Sequence, residues 1–190
     1  MERAEEVAKH DGPAKVLRAD ESMSRFDRPD VSICRSPMAE AVIIAEAAKR
    51  PGLDLTVDSA GTGAYHAGDG ADDRTIAVCK KHGVPVNCIA RKVEANDFAK
   101  FDYILAMDQS NLQTLQTRKP RGSRAHVTLF GNFEPDLAIT GAGARVRPGI
   151  IEDPYYGGRD GFEIAYDQCV RYARGFLDFL DAGGGEPPEF

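Results

Sequence analysis

The sequence predicts an α/β fold, a three-layer sandwich in which helices cover both faces of a four-stranded parallel sheet. Strand-like apolar runs alternate with helical patterns along the chain. The run at 101–108, FDYILAMD, is almost continuously apolar, as expected of a strand buried on both faces. A length of 190 residues with 42% hydrophobic residues suits one domain with a substantial core.

The first 30 residues give the weakest structural signal. They mix charges, Gly and Pro without a sustained period, so residues 1–30 are expected to be poorly ordered. Only AKVL at 14–17 resembles the beginning of a strand, and the residues after it lack the apolar and β-branched content of a buried strand. The first strand is therefore predicted to be absent or disrupted.

The first helix has clear start and stop signals. Ser36 is the expected N-cap, Pro37 fits the first helical position, and Pro-Gly at 51–52 ends the helix near residue 50. The following elements are predicted as a strand at 53–61, a helix at 72–83, a strand at 101–108, a helix from 110, a strand at 126–131 and a long helix at 162–180. Residues 31–180 form the domain, with a loop insertion near 134–149 and a flexible tail at 181–190.

Charge and cysteine content exclude several classes of function. A net charge of -6 and a pI near 5.3 disfavour binding to nucleic acid or to an anionic membrane surface. No apolar run is long enough to span a bilayer, and the four cysteines form no CxxC pair. We expect a cytoplasmic monomer with reduced thiols and with no metal or other cofactor.

Two short motifs carry candidate chemistry. Arg35, directly before Ser36-Pro37, puts a guanidinium beside the positive end of a helix, which suits a phosphate dianion, although such an arginine is more often a solvated surface residue. Asp153 lies in EDPYYGG at 152–158, where it suits a general acid, although Asp-Pro and Gly-Gly are also ordinary turn residues.

Several segments together resemble the low-molecular-weight protein tyrosine phosphatases. The segments ICRSPMAEAV, VDSAGTGAYHAG, DDRTIAVCKKHGV, FDYILAMDQSNL and IIEDPYYGG occur in the family's order and at nearly its spacing. The resemblance covers about residues 31–180. It implies a Cys-x5-Arg phosphate loop between the first strand and the first helix, whose Cys thiolate attacks phosphorus to give a phosphocysteine.

The resemblance assigns expected roles to individual residues. Arg35 binds phosphate, Ser36 supports the thiolate, and Asp153 protonates the leaving phenol oxygen. Ser59 braces the loop from the neighbouring strand. Tyr65 and Tyr155 line the slot for an aromatic ring, so phosphotyrosine proteins or small aryl phosphates are the expected substrates.

The chain departs from the family at the nucleophile. Six residues before Arg35 stands Pro29 where the pattern requires Cys, and Val31 stands where the loop needs Gly. Cys34, adjacent to Arg35, points elsewhere and reaches the attack position only in a remodelled loop. A second departure is Cys88, which stands where the family often carries His and slightly weakens the supporting network.

Three interpretations remain open. The chain is a catalytically impaired phosphatase, a non-catalytic phosphate- or phosphotyrosine-binding pseudophosphatase, or a splice or gene-model variant of an active enzyme in which residues 18 to about 32 replace the catalytic segment. An arsenate reductase of the same fold is a weaker candidate, since that chemistry also needs the missing Cys.

Overall fold

The computed structural model describes residues 14–20, 33–63, 68–135, 149–154 and 160–188. The strands in these segments are β1 (Ala14–Asp20), β2 (Leu55–Gly61), β3 (Tyr103–Ala106) and β4 (His126–Leu129). The helices are α1 (Arg35–Ala47), α2 (Asp73–Lys81), α3 (Asp97–Lys100), α4 (Gln109–Arg118) and α5 (Gly161–Asp181). All strand pairs are parallel, and the order across the sheet is β2-β1-β3-β4.

The sheet is buried on both faces, which confirms the predicted α/β sandwich. Successive strand residues point to opposite faces. Val16 and Leu105 therefore pack in one core with apolar residues of α1 and α5, while Leu17 and Ile104 pack in a second core with Leu115 of α4. The four strands are short and nearly uniform in direction, so their carboxyl ends meet at one edge.

The first strand is present, and the prediction that it is absent or disrupted is wrong. β1 is a central strand, paired with β2 from Ala14 to Asp20 and with β3 from Val16 to Ala19. Val16, Leu17 and Ala19 are fully buried and supply apolar contacts on both faces. Sequence reasoning missed the strand because charged residues at positions 18 and 20 interrupt the apolar run, although the ladder hydrogen bonds do not depend on side chains.

Helix α1 begins before the predicted cap. Cys34 is the N-cap and makes no side-chain capping bond, so Arg35 and Ser36 already belong to the first turn. Pro37 is tolerated as the third helical residue because the first N–H groups of a helix have no intrahelical acceptor. The earlier start places Arg35 on the helix itself.

Two glycines return the chain to the sheet edge after the predicted insertion. Gly131 and Gly149 form an antiparallel bridge. A Cβ on Gly131 would collide with the Gly149 carbonyl group, so the backbones can approach only without side chains. Residues 136–148, which make up most of the insertion, lie outside the described residues.

Residues 183–188, within the predicted flexible tail at 181–190, pack against the sheet. The Tyr103 hydroxyl accepts a hydrogen bond from the Gly185 amide at 2.9 Å, and the Asn132 side chain donates to the Pro188 carbonyl at 2.9 Å. Gly184 adopts a φ of 62°, and an added Cβ would lie 2.8 Å from the Tyr103 hydroxyl. The segment from Gly183 to Pro188 is thus bound to β3 and to the turn after β4.

Replacing Leu17 by Ala tests the central position of β1. Leu17 is fully buried, so truncation should lower the free energy of unfolding by about 2–5 kcal/mol in denaturant titrations. Ile89→Ala is the control, because Ile89 is 69% exposed and its loss should cost about 0.5 kcal/mol or less. Equal, small effects of both substitutions would contradict a buried central strand.

Candidate active site at the carboxyl edge of the sheet

Arg35 is anchored at the start of α1. Its side chain is only 4% exposed, and Nη1 donates hydrogen bonds to the Asp108 carboxylate at 2.9 Å and to the Ile151 carbonyl at 2.6 Å. A buried guanidinium requires such partners because removing the charge from water is costly. The two bonds fix the guanidinium between the end of β3 and the segment that carries Asp153.

Asp108 is the residue that sequence reasoning missed. It follows β3 and caps α4, since Oδ1 accepts a hydrogen bond from the Asn111 amide at 2.9 Å. Its other oxygen, Oδ2, accepts the hydrogen bond from Arg35 Nη1. An acidic residue directly after a buried strand and before a helix is a detectable signal, because both ends lie at the carboxyl edge. The predicted helix starts at Ser110, so the prediction does not include Asp108 as its cap.

Asp153 lies in a segment bound to the same edge. The Ile151 amide donates to the Met107 carbonyl at 3.0 Å, and Ile151 is fully buried. Pro154 packs against the start of α5, where a Cβ on Gly161 would lie 3.3 Å from the Pro154 carbonyl oxygen. The half-buried Asp153 is therefore held between two fixed points, one of which contacts Arg35 directly.

Ser36 is a buried residue whose hydroxyl is unsatisfied in the described part of the chain. Its side chain is 1% exposed, and its hydroxyl oxygen has no hydrogen-bond partner among the described residues. An unsatisfied buried hydroxyl is costly. A ligand or loop group that hydrogen-bonds this hydroxyl would remove that cost.

Cys34 lies beside the start of α2. The Cys34 carbonyl accepts a hydrogen bond from the Thr75 hydroxyl at 3.1 Å. Hydrogen bonds from Arg74 chiefly lower the pKa of Asp72, and the Cys34 thiol makes a smaller contribution of the same kind. The thiol therefore points at the Asp72 carboxylate. That Cys34 does not replace the nucleophile stays a prediction.

Ser59 is buried near the end of β2 and contacts Cys88. Burial, followed by the negative charge of Glu40, raises the pKa of the Cys88 thiol to about 11, while a hydrogen bond with Ser59 opposes that rise. Cys88 thus occupies the neighbourhood of Ser59 as a neutral thiol. The bracing role of Ser59 concerns a loop outside the described residues and stays a prediction.

Several predicted site residues lie outside the described residues, namely Pro29, Tyr65 and Tyr155. In the described parts of the chain, no three His, Cys, Asp or Glu side chains come together as metal ligands would. None of the described helices is both long and apolar enough to cross a membrane.

The fold and the site define a class of protein. Parallel α/β sheets bind ligands beyond the carboxyl ends of their strands, and helix N-termini there favour anions. Arg35 at the start of α1 and the Asp153 segment occupy this edge beside the central strands. This is the arrangement of an α/β protein with an anion site at its sheet edge.

The chain belongs to the low-molecular-weight phosphotyrosine protein phosphatase family, whose sequence profile matches residues 31–183. The family member of Schizosaccharomyces pombe is 48% identical over 149 residues, covering 77% of this chain and 89% of the relative. The Homo sapiens member is 40% identical over 152 residues, with the same coverage. A protein tyrosine phosphatase from Entamoeba histolytica, solved with Hepes in the active site, is 32% identical with a TM-score of 0.70, covering 90% of this chain and 98% of that one.

Replacing Asp108 by Asn tests the anchor of Arg35. Asn still caps α4 but removes the negative charge, so we expect the free energy of unfolding to fall by about 1.5–3 kcal/mol, as for hydrogen bonds to charged groups. The matched control is Asp72→Asn, another capping aspartate, whose partner Arg74 is 48% exposed and whose ion pair should contribute about 1 kcal/mol or less. If urea titrations showed that Asp108→Asn and Asp72→Asn lower the free energy of unfolding equally, a special role for Asp108 would be contradicted.

Proposed function

We propose that this chain recognises phosphotyrosine or small aryl phosphates through Arg35 and that its hydrolysis of them is impaired. The observation that carries the proposal is the bond between Arg35 Nη1 and the Ile151 carbonyl at 2.6 Å. It brings the phosphate-binding arginine and the segment of the general acid to one place. Family membership supplies the reaction class, phosphomonoester hydrolysis through a cysteine.

The residue roles follow the family's chemistry. Arg35 binds the equatorial phosphate oxygens, and the Ser36 hydroxyl hydrogen-bonds the group at the attacking position. Asp153 gives a proton to the phenol oxygen as the P–O bond breaks, and then takes a proton from the hydrolytic water. Ser59 braces the loop, while Tyr65 and Tyr155 flank the aromatic ring.

Impairment follows from the connection between β1 and α1. In an active enzyme the thiolate forms a P–S bond, which water then breaks. Here Pro29 takes the position of that Cys, and residues 21–34 separate the end of β1 from α1, whereas the family pattern leaves five residues between Cys and Arg. General acid catalysis alone contributes only about 10²- to 10⁴-fold, so loss of the covalent route should be severe.

A loop graft tests this proposal. Replacing residues 20–32 with Cys-Leu-Gly-Asn restores the Cys-x5-Arg pattern ahead of Ile33, Cys34 and Arg35. We expect the graft to raise kcat for p-nitrophenyl phosphate by about 10³-fold or more over the unmodified chain, because the thiolate route is restored.

The control graft carries Ser-Leu-Gly-Asn, which keeps the loop length and removes the thiolate. It should stay near the activity of the unmodified chain. Turnover by the unmodified chain that matches the Cys graft would overturn the claim of impairment.

A non-catalytic binding function is the second candidate. It is favoured by the buried Ser36 hydroxyl beside Arg35, which no described residue hydrogen-bonds, since a bound phosphate oxygen would satisfy that hydroxyl. In this function the chain shields phosphotyrosine or free phosphate without hydrolysing it.

Calorimetric titration with inorganic vanadate tests binding. Arg35→Lys keeps the charge but loses the planar fork, so the Kd should rise by about 10-fold or more. The control is Arg50→Lys, an arginine that pairs with Asp178 and Asp181 on the surface and should leave the Kd unchanged. No vanadate binding by the unmodified chain would exclude the binder.

The proposed splice or gene-model origin of the segment before Ile33 has its own test. Residues 18–20 belong to β1, so the segment from residue 18 to about 32 includes the end of that strand. Sequencing of the transcript should find a second form that encodes Cys-x5-Arg. If every transcript encodes residues 18–32 in frame, the present chain is the product of its gene.

A further inference from the structure

Helix α2 begins against the phosphate-binding end of α1. The Asp72 amide donates to the Ile33 carbonyl at 2.9 Å, and the Thr75 hydroxyl donates to the Cys34 carbonyl at 3.1 Å. Both acceptors directly precede Arg35. Any shift of the backbone before Arg35 therefore changes the bonds at the start of α2.

The Arg74 guanidinium is fixed at the start of α2 by its pair with Asp72. Arg74 donates from Nε to one oxygen of Asp72 at 2.9 Å and from Nη2 to the other at 2.8 Å. A two-pronged pair of this kind sets the plane as well as the position of the guanidinium. Asp72 thus controls how Arg74 is presented to the rest of the molecule.

Arg74 then contacts the first turn of α5. Its guanidinium carbon lies 4.6 Å from the centre of the Phe162 ring, and Phe162 is 7% exposed. This is a cation–π contact between α2 and α5. It completes a continuous set of contacts from the backbone before Arg35 to α5.

The first turn of α5 packs against residues 151–154, which include Asp153 and are called the acid segment below. Gly161, the neighbour of Phe162, approaches Pro154 so closely that an added Cβ would lie 3.3 Å from its carbonyl oxygen. Pro154 follows Asp153. The acid segment is thus held on one side by Arg35 at Ile151 and on the other by α5.

We propose that Arg74 is a positioning residue that couples the phosphate-binding end of α1 to the Asp153 segment through Phe162. The inference rests on the proposed function for the roles of Arg35 and Asp153, while the coupling itself is a property of the free protein. A displacement of the backbone before Arg35 changes the Asp72–Arg74 pair. It therefore changes the packing of Phe162 and the Asp153 segment.

Hydrogen exchange in the full-length free protein tests the coupling in both directions. Phe162→Leu, on α5, should speed exchange of the Asp72 amide, and Arg74→Lys should speed exchange of the Ile164 amide, which bonds to Asp160. We expect increases of about two- to fivefold relative to amides of β3, the range set by a cation–π contact at an exposed site. Normalising to β3 removes any effect of global destabilisation.

Arg171→Lys is the matched control. Arg171 is 47% exposed against 48% for Arg74, it lies on α5 over the Tyr172 ring at 5.9 Å, and it pairs with Glu134. This variant should leave the exchange rates of the Asp72 and Ile164 amides unchanged. The proposal would be overturned if the exchange rate of the Asp72 amide did not change in Phe162→Leu. It would also be overturned if Arg171→Lys raised the exchange rates of the Asp72 and Ile164 amides as much.

A second measurement separates the coupling from anion binding. Saturating inorganic vanadate should slow exchange of the Ile164 amide in the unmodified chain and have less than half that effect in Arg74→Lys. Equal slowing in both proteins would overturn the role of Arg74. Absence of vanadate binding would refute the proposed function, whereas the free-protein exchange would still decide the coupling.

Discussion

The candidate site depends on the burial of one guanidinium. Arg35 Nη1 joins α1 to Asp108 at the end of β3 and to Ile151 in the segment that carries Asp153. Because the side chain is almost fully buried, the charge is tolerated only with a carboxylate and a carbonyl in place. Three chain segments that are distant in sequence are thereby held at one edge of the sheet.

The parallel sheet makes that convergence possible. β1 is central and parallel to β3, so the start of α1 and the segments after β3 meet beyond the same strand ends. The Gly131–Gly149 bridge then returns the chain to this edge after the insertion, ahead of Ile151. The length of the insertion is therefore not required to place Asp153, since the bridge fixes the return point.

Local sequence patterns predicted the helices better than they predicted β1 and Asp108. The Asp72 cap and the apolar face of α5 are readable because capping and the 3.6-residue period are short-range properties. β1 was missed because charged residues interrupt its apolar run and its ladders are made by partners distant in sequence. Asp108 was missed because its second role depends on Arg35, 73 positions earlier. Such information is present in the fold and absent from any single segment.

Arg35 has a structural role that does not depend on its proposed role in phosphate binding. An arginine that satisfies Asp108 and Ile151 is needed for the fold whether or not a nucleophile precedes it, so its presence alone does not establish phosphate binding. Ser36 is different, because its buried hydroxyl has no partner among the described residues and contributes nothing to the fold by hydrogen bonding. The unsatisfied Ser36 hydroxyl, more than the ion-paired Arg35, therefore argues that a group binds at this edge.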